Sequence, residues 1–141
     1  METKSNCNWL FKASIVFLLG WTLSSESLAQ QANSDGLKEF KITIEQTDNG
    51  IKMQSHEGSA WIDLGFNLSN NKPQAIDEYG MTNLDHVSSH KDSQLSDYLF
   101  TITKTKNGIT LKGIEGTAWK ELSFPLPKNG KQSIDQFGMT E

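Results

Sequence analysis

The chain has 141 residues and a formal net charge of −4 at pH 7. All 13 of its basic residues are lysine, so it has no guanidinium group to bind phosphate in a bidentate way. The negative charge and the missing arginine together argue against nucleic acid as a partner.

The N-terminus has the pattern of a secretory signal peptide that ends at Ala29. Its apolar run, Ala13–Leu23, has eleven residues, whereas a membrane-spanning helix needs about 20. Ser27 and Ala29 are small residues of the kind that precede a signal-peptidase cut. We therefore predict cleavage after Ala29 and a mature protein in the periplasm or outside the cell. The alternative is an uncleaved N-terminal anchor.

The mature chain lacks cysteine, because Cys7 lies within residues 1–29. An exported domain without disulfides has to be stabilised by packing alone. After the predicted cleavage point no transmembrane segment and no cofactor is expected. Residues 30–36 are interpreted as a short N-terminal tail.

The remaining sequence is a duplication. Residues 37–83 align without a gap to residues 95–141 at a constant offset of 58, and 21 of the 47 aligned pairs are identical. Residues 84–94 join the copies as a polar linker, with room for one helical turn. The order is therefore tail, first β repeat, linker and second β repeat.

Each copy begins with two predicted strands. Phe40, Ile42 and Ile44 alternate with polar residues, which is typical of a half-buried strand. The dipeptide Asn49-Gly50 follows and favours a type I′ hairpin, because both of its central residues need a positive φ. Apolar residues at every second position then predict the return strand.

Two further strands complete each copy. Leu64, Phe66 and Leu68 alternate again, and a polar turn leads to a last strand around Ile76 that ends near the Gly-Met pair. The same pattern recurs 58 residues later. A single copy of about 47 residues buries too little surface to be stable alone, so both copies are expected to share one core.

The predicted fold is therefore an all-β, eight-stranded antiparallel unit. Either a sandwich of two four-stranded meanders or a small barrel satisfies the pattern, with a pseudo-two-fold axis between the copies.

Both copies carry the pattern GIxL, G[ST]AWxxLxF and IDx[YF]GM, with Met53 in place of the leucine in the first copy. The matching residues are Gly50, Ile51, Gly58 to Trp61, Leu64, Phe66, Ile76, Asp77, Tyr79, Gly80, Met81 and their counterparts 58 positions later. The pattern resembles a repeat of small exported proteins from flavobacteria and their Bacteroidetes relatives. This resemblance implies compartment and architecture and carries over no catalytic residue.

Two pairs of acids are repeated, Asp77 with Asp135 and Glu57 with Glu115. A pseudo-two-fold axis could bring two carboxylates together as general acid and base, which would make the chain a small hydrolase or lyase acting on polysaccharide. The favoured interpretation is structural, because an Asp before a turn often accepts a backbone N–H two residues on.

Histidines indicate no shared site either. His86 and His90 have a spacing that could bind zinc on a helix, with Asp85 and Asp92 beside them. The intervening residues are weak helix formers, so a polar linker without metal is favoured. There is no Ser-His-Asp or Cys-His set to propose.

Repeated aromatic residues suggest a ligand surface. Trp61, Trp119, Tyr79 and Phe137 could stack on sugar rings while Asp77 and Asp135 bond hydroxyl groups. The alternative is that these rings pack in the core. The function predicted first is an exported, non-catalytic binding or structural module, associated with polysaccharide or another cell-envelope component.

The phase of the third strand sharpens this prediction. If the strand is regular, Ala60, Ile62 and Leu64 share one face and Trp61 lies on the other. At least one of Trp61 and Trp119 is then expected to be more than about a third exposed. A bulge at the preceding Gly-Ser-Ala or Gly-Thr-Ala step would instead turn the indole inward.

Overall fold

The computed structural model describes residues 36–86 and 91–141, which form two five-stranded antiparallel sheets packed on one another as a sandwich. The predicted all-β sandwich is thus confirmed. The strands are β1 Lys41–Thr47, β2 Gly50–Glu57, β3 Asp63–Phe66, β4 Gln74–Asp77, β5 Gly80–Thr82, β6 Leu99–Thr105, β7 Gly108–Glu115, β8 Glu121–Phe124, β9 Lys131–Asp135 and β10 Gly138–Thr140.

The two copies exchange strands. Sheet 1 has the order β10-β9-β1-β2-β3, and sheet 2 has the order β5-β4-β6-β7-β8. The last hairpin of each copy therefore leaves its own three strands and pairs with the first strand of the other copy. The expectation of two four-stranded meanders is wrong on both counts, because the Gly-Met pair begins a fifth strand and the final hairpin changes sheets.

An asparagine directs each crossing. Asn71 has a φ of 62° and donates its N–H to the carbonyl of Lys104 in β6, at 2.9 Å. Asn129 has a φ of 61° and donates to Gln46 in β1, at 2.7 Å. Asparagine tolerates this left-handed conformation better than other residues with a side chain. Each connection is thus anchored to the sheet that the chain is entering.

The Asn-Gly hairpins differ from the predicted type I′ turn. Thr47 pairs with Gly50, so the two loop residues are Asp48 and Asn49, and only Gly50 has a positive φ, 151°. A side chain at Gly50 would also run into the carbonyl oxygen of Phe66. The glycine therefore serves the first position of β2 and not the centre of the turn.

One core lies between the sheets, as the alternating pattern predicts. Phe40 and Tyr98, which are equivalent residues of the two copies, contact each other with ring centroids 4.5 Å apart. Equivalent residues can touch only near the axis that relates the copies, so this pair marks the centre. The buried core residues are Phe40, Ile42, Ile44, Ile51, Met53, Ile76, Tyr98, Phe100, Ile102, Ile109, Leu111, Trp119, Phe124, Leu126 and Ile134.

The linker contains one 3-10 turn, Leu84–His86, in keeping with the single helical turn expected there. No helix within residues 36–86 and 91–141 has the length and apolar character needed to cross a membrane. The predicted signal peptide, most of the tail and His90 lie outside the described residues.

Candidate functional site

Trp61 and Trp119 each bond a crossed hairpin from the facing sheet. The backbone N–H of Ala60 donates to the carbonyl of Glu78, and the indole Nε1–H of Trp61 donates to the carbonyl of Asp77 at 3.0 Å. In the second copy Trp119 donates to Asp135 at 2.9 Å. Each indole therefore satisfies a backbone acceptor at the end of a strand from the other sheet.

This placement corrects the expectation of an exposed tryptophan platform. Trp119 is only 8% exposed, and Trp61 is half-buried against the core, whereas Ile62 is 70% exposed. Residues 58–62 lie outside β2 and β3, so the strand phase assumed for Ala60 to Ile62 does not apply. The alternative in which the chain turns the indole inward describes Trp119.

Asp77 and Asp135 cap the hairpins that carry them. One carboxylate oxygen of Asp77 accepts the backbone N–H groups of Tyr79 and Gly80, at 2.8 and 3.0 Å. Asp135 does the same for Phe137 and Gly138. The predicted bond from the backbone N–H two residues on is thus present at both aspartates, and the two carboxylates lie at strand ends in different sheets.

The aromatic residues beside these caps are exposed. Tyr79 is 42% exposed on the β4–β5 hairpin, and Phe137 is 58% exposed on the β9–β10 hairpin. Met81 and Met139, on edge strands β5 and β10, are about equally exposed. The structure thus brings an aromatic ring and a methionine together on one short hairpin at an edge of each sheet.

The two methionines have no evident role in the fold. Four identical pairs of the duplication are exposed in both copies, namely Asn49, Glu57, Asn71 and Met81 with their counterparts. Asn49, Asn71 and their counterparts form turns, which accounts for two of the pairs. Met81 and Met139 are about half exposed on edge strands β5 and β10 instead.

A cluster of acids that was not predicted lies where the end of β4 meets the start of the second copy. Glu78, Asp97 and Glu115 meet Asp77 there, and Lys91 pairs with Glu115 at 2.7 Å. The structure thus places Asp77 beside Glu115, whereas the sequence suggested pairs of equivalent acids. The duplication repeats Asp77 and Glu115 as acids but not Glu78, whose counterpart is Gln136, so it does not mark the cluster as a whole.

Glu78 is a buried acid, at 7% exposure. Its burial raises the pKa of the carboxyl above the ordinary value, and the charges of Asp77 and Asp97 act in the same direction. At the equivalent place in the second copy, the amide oxygen of Gln136 accepts the backbone N–H of Phe40 at 3.2 Å. The cavity among the acids measures only about 10 Å³, which is room for no more than one water molecule.

Metal-binding groups were sought in the same residues. Within residues 36–86 and 91–141, no three His, Cys, Asp or Glu side chains are arranged to hold a metal ion. The zinc alternative for His86 and His90 is left untested, because His90 is not among the described residues.

Fold and site together define a two-copy β-sandwich with exchanged hairpins. No protein-family model, curated protein or solved structure matches this chain. The likeness to the flavobacterial repeat therefore stays a prediction from the residue pattern.

Proposed function

We propose that this chain is an exported, non-catalytic module that binds polysaccharide through its two crossed hairpins. The observation that carries the proposal is the pair of exposed aromatic rings, Tyr79 and Phe137, each accompanied by an exposed methionine. The two hairpins are equivalent in the duplication, so they would present the same chemistry at two edges of one rigid body.

Rigid presentation favours stacking. The backbone N–H of each aromatic residue is bonded to the aspartate two residues earlier, and a tryptophan from the facing sheet holds the carbonyl of that aspartate. A backbone held in this way loses little conformational freedom when a ligand binds to the ring that it carries. Stacking on an aromatic ring is worth on the order of 1 kcal/mol beyond burial.

Two equivalent sites suit a polymer. A long polysaccharide that engages both hairpins gains avidity, because binding at the second site follows at a high effective concentration. A single weak stacking site would not suffice for tight binding, but two on one rigid module would.

A binding function is better supported than the hydrolase or lyase alternative. The carboxylates of Asp77 and Asp135 are occupied in capping their hairpins. The acid cluster around Glu78 encloses too little space for a sugar ring. Both observations leave the exposed hairpin rings as the better candidates for contact with a ligand.

The decisive experiment is a glycan array probed with the mature chain from Gln30 onward. Tyr79→Ala and Phe137→Ala should each weaken binding by about tenfold through lost avidity, and the double variant should lose it. Ile114→Ala is the matched control, since this residue is exposed on β7, a strand that pairs with neither hairpin. An array without signal, or a double variant that binds like the wild type, would contradict the proposal.

Export is tested separately by the intact mass of the protein from a periplasmic or medium fraction. The expected N-terminus is Gln30, because the small residues Ser27 and Ala29 define the cut. Recovery of the chain with Met1 from a membrane pellet would contradict export by signal cleavage.

A further inference from the structure

A shallow cleft of about 390 Å³ lies on the outer side of sheet 1, at the end of β3. Gly65 forms part of its floor, and a side chain added there would meet nothing within 4 Å. Asp63 and Asn67, two residues to either side, line the cleft together with Lys52 from the neighbouring strand. The missing side chain at Gly65 is therefore what opens the space between them.

The second copy lacks this opening. Ser123 occupies the place of Gly65, and its hydroxyl lies 3.0 Å from the hydroxyl of Thr110, so the two satisfy each other. Pro125 stands where the first copy has Asn67 and offers no polar side chain. The corresponding groove measures about 190 Å³, below the ~300–1,000 Å³ usual for ligand sites.

The charges around the cleft cancel. Lys52 Nζ lies 3.9 Å from Asp63 Oδ1, and both side chains are about half exposed. The other polar groups are neutral: the amides of Asn49 and Asn67 and the hydroxyl of Thr47. Such a set offers donors and acceptors with no net charge, which suits neither a phosphate nor a lone cation. Phe66 also lines the cleft, but its side chain packs against the core.

We propose that this cleft is a subsite for a neutral, unsubstituted sugar residue, present in the first copy alone. Its ligand class rests on the proposed function, but its position does not, because the cleft is separate from both crossed hairpins. Sugar hydroxyl groups would bond Asp63, Asn67 and Lys52, beside the open backbone at Gly65. The duplication has thus produced one additional site that breaks its own symmetry.

The test is a titration of ¹⁵N-labelled mature chain with cellohexaose, maltohexaose, xylohexaose and mannohexaose, followed by amide chemical shifts. At least one oligosaccharide should shift the amides of Gly65 and Lys52. Gly65→Ser, which installs the residue of the second copy, should weaken that binding by about tenfold or more. Ser123→Gly is the matched control and should leave the affinity unchanged.

The outcomes separate this proposal from the hairpin sites. Shifts at Gly65 that persist in the Tyr79→Ala/Phe137→Ala double variant support the cleft even if the hairpin proposal fails. Shifts confined to Tyr79 and Phe137 overturn the cleft and leave the hairpin proposal standing. The absence of shifts around Gly65 with every oligosaccharide at about 10 mM, a concentration that detects millimolar affinity, also overturns it. Equal affinity of Gly65→Ser and the wild type does the same.

Discussion

Trp61 in the first copy and Trp119 in the second donate the same hydrogen bond to the facing sheet, at 3.0 and 2.9 Å. A short distance away the copies differ, since Glu78 is a buried acid and its counterpart Gln136 is a neutral amide. The tryptophans that bond the aspartate carbonyls have stayed the same, whereas this neighbouring position has diverged. The shared framework therefore supports two different halves.

The two halves also differ at the centre of the core. Tyr98 and Phe40 face each other across the pseudo-two-fold axis, but only Tyr98 carries a hydroxyl, which lies 2.7 Å from the Ser59 hydroxyl. Burial raises the pKa of Tyr98 far above its ordinary value, so this phenol stays protonated at neutral pH. The hydroxyl that distinguishes Tyr98 from Phe40 is thus satisfied by Ser59.

Separating the copies is the most severe test of the shared framework. A cut near Ser89 should leave neither half folded, because β1 needs β9 and β6 needs β4 as neighbours. Amide spectra of each half alone should lack dispersion, and mixing the halves should restore it. A dispersed spectrum from a monomeric half would show that a copy can fold without exchanging its hairpin.

Removing the indoles compares the halves directly. Trp119→Ala should cost about 3–5 kcal/mol of the free energy of unfolding, as is usual for a buried large aromatic residue. Trp61→Ala should cost less, because its ring is only half-buried. Urea denaturation of the two variants measures the difference. Equal losses in the free energy of unfolding would mean that the different exposure of the two indoles does not affect stability.

The hairpin glycines should behave alike in both halves. Gly50→Val and Gly108→Val should each cost about 2 kcal/mol, because a side chain there meets the carbonyl oxygen of Phe66 or Phe124 at a positive φ. Gly65→Val is the control and should cost little, since its surroundings are open. Denaturation midpoints that fall equally for all three would contradict the steric explanation.

The smallest expected effect is the pH dependence that Glu78 adds to one half. Because its pKa is higher in the folded chain, its contribution is fully present below the ordinary value of 4.5 and is lost as pH rises through the raised pKa. Glu78→Gln should therefore be more stable than the wild type at neutral pH and equal to it in acid. Thermal unfolding across pH 4 to 8 measures this, and a constant difference would contradict it.

Local pattern predicted the strands but not their partners. The period-two alternation placed β1 and β6 correctly, because it reflects burial of one face. The exchange of hairpins could not be predicted, since β4 and β9 share Gln, Ile and Asp at equivalent positions, as Gln74 and Gln132 illustrate. Both glutamines even make the same bonds to their hairpins. By local sequence pattern either hairpin could pair with β1, so the pairing is decided only by the path of the connections between the sheets.

For the candidate site, too, local bonds were predictable from the sequence, whereas side-chain orientation and contacts between strands were not. The spacing of Asp77 before its turn correctly indicated a backbone cap. The orientation of Trp61 was missed because a regular strand was assumed through residues 58–62. Whether the position of Gly65 opens a cleft depends on the residue paired with it on the neighbouring strand, which is Lys52 for Gly65 and Thr110 for its counterpart Ser123. A single segment of sequence does not reveal this pairing.

The exchange of hairpins also sets the order in which the molecule can be completed. In sheet 1, Ile42 of β1 lies opposite Ile134 of β9, and β10 forms one edge of that sheet after a two-residue turn. A ribosome delivers β9 and β10 after β1, so sheet 1 cannot close until the second copy has been synthesised. Contacts between such distant segments also form slowly. The first copy therefore stays incompletely folded while the second copy is being made.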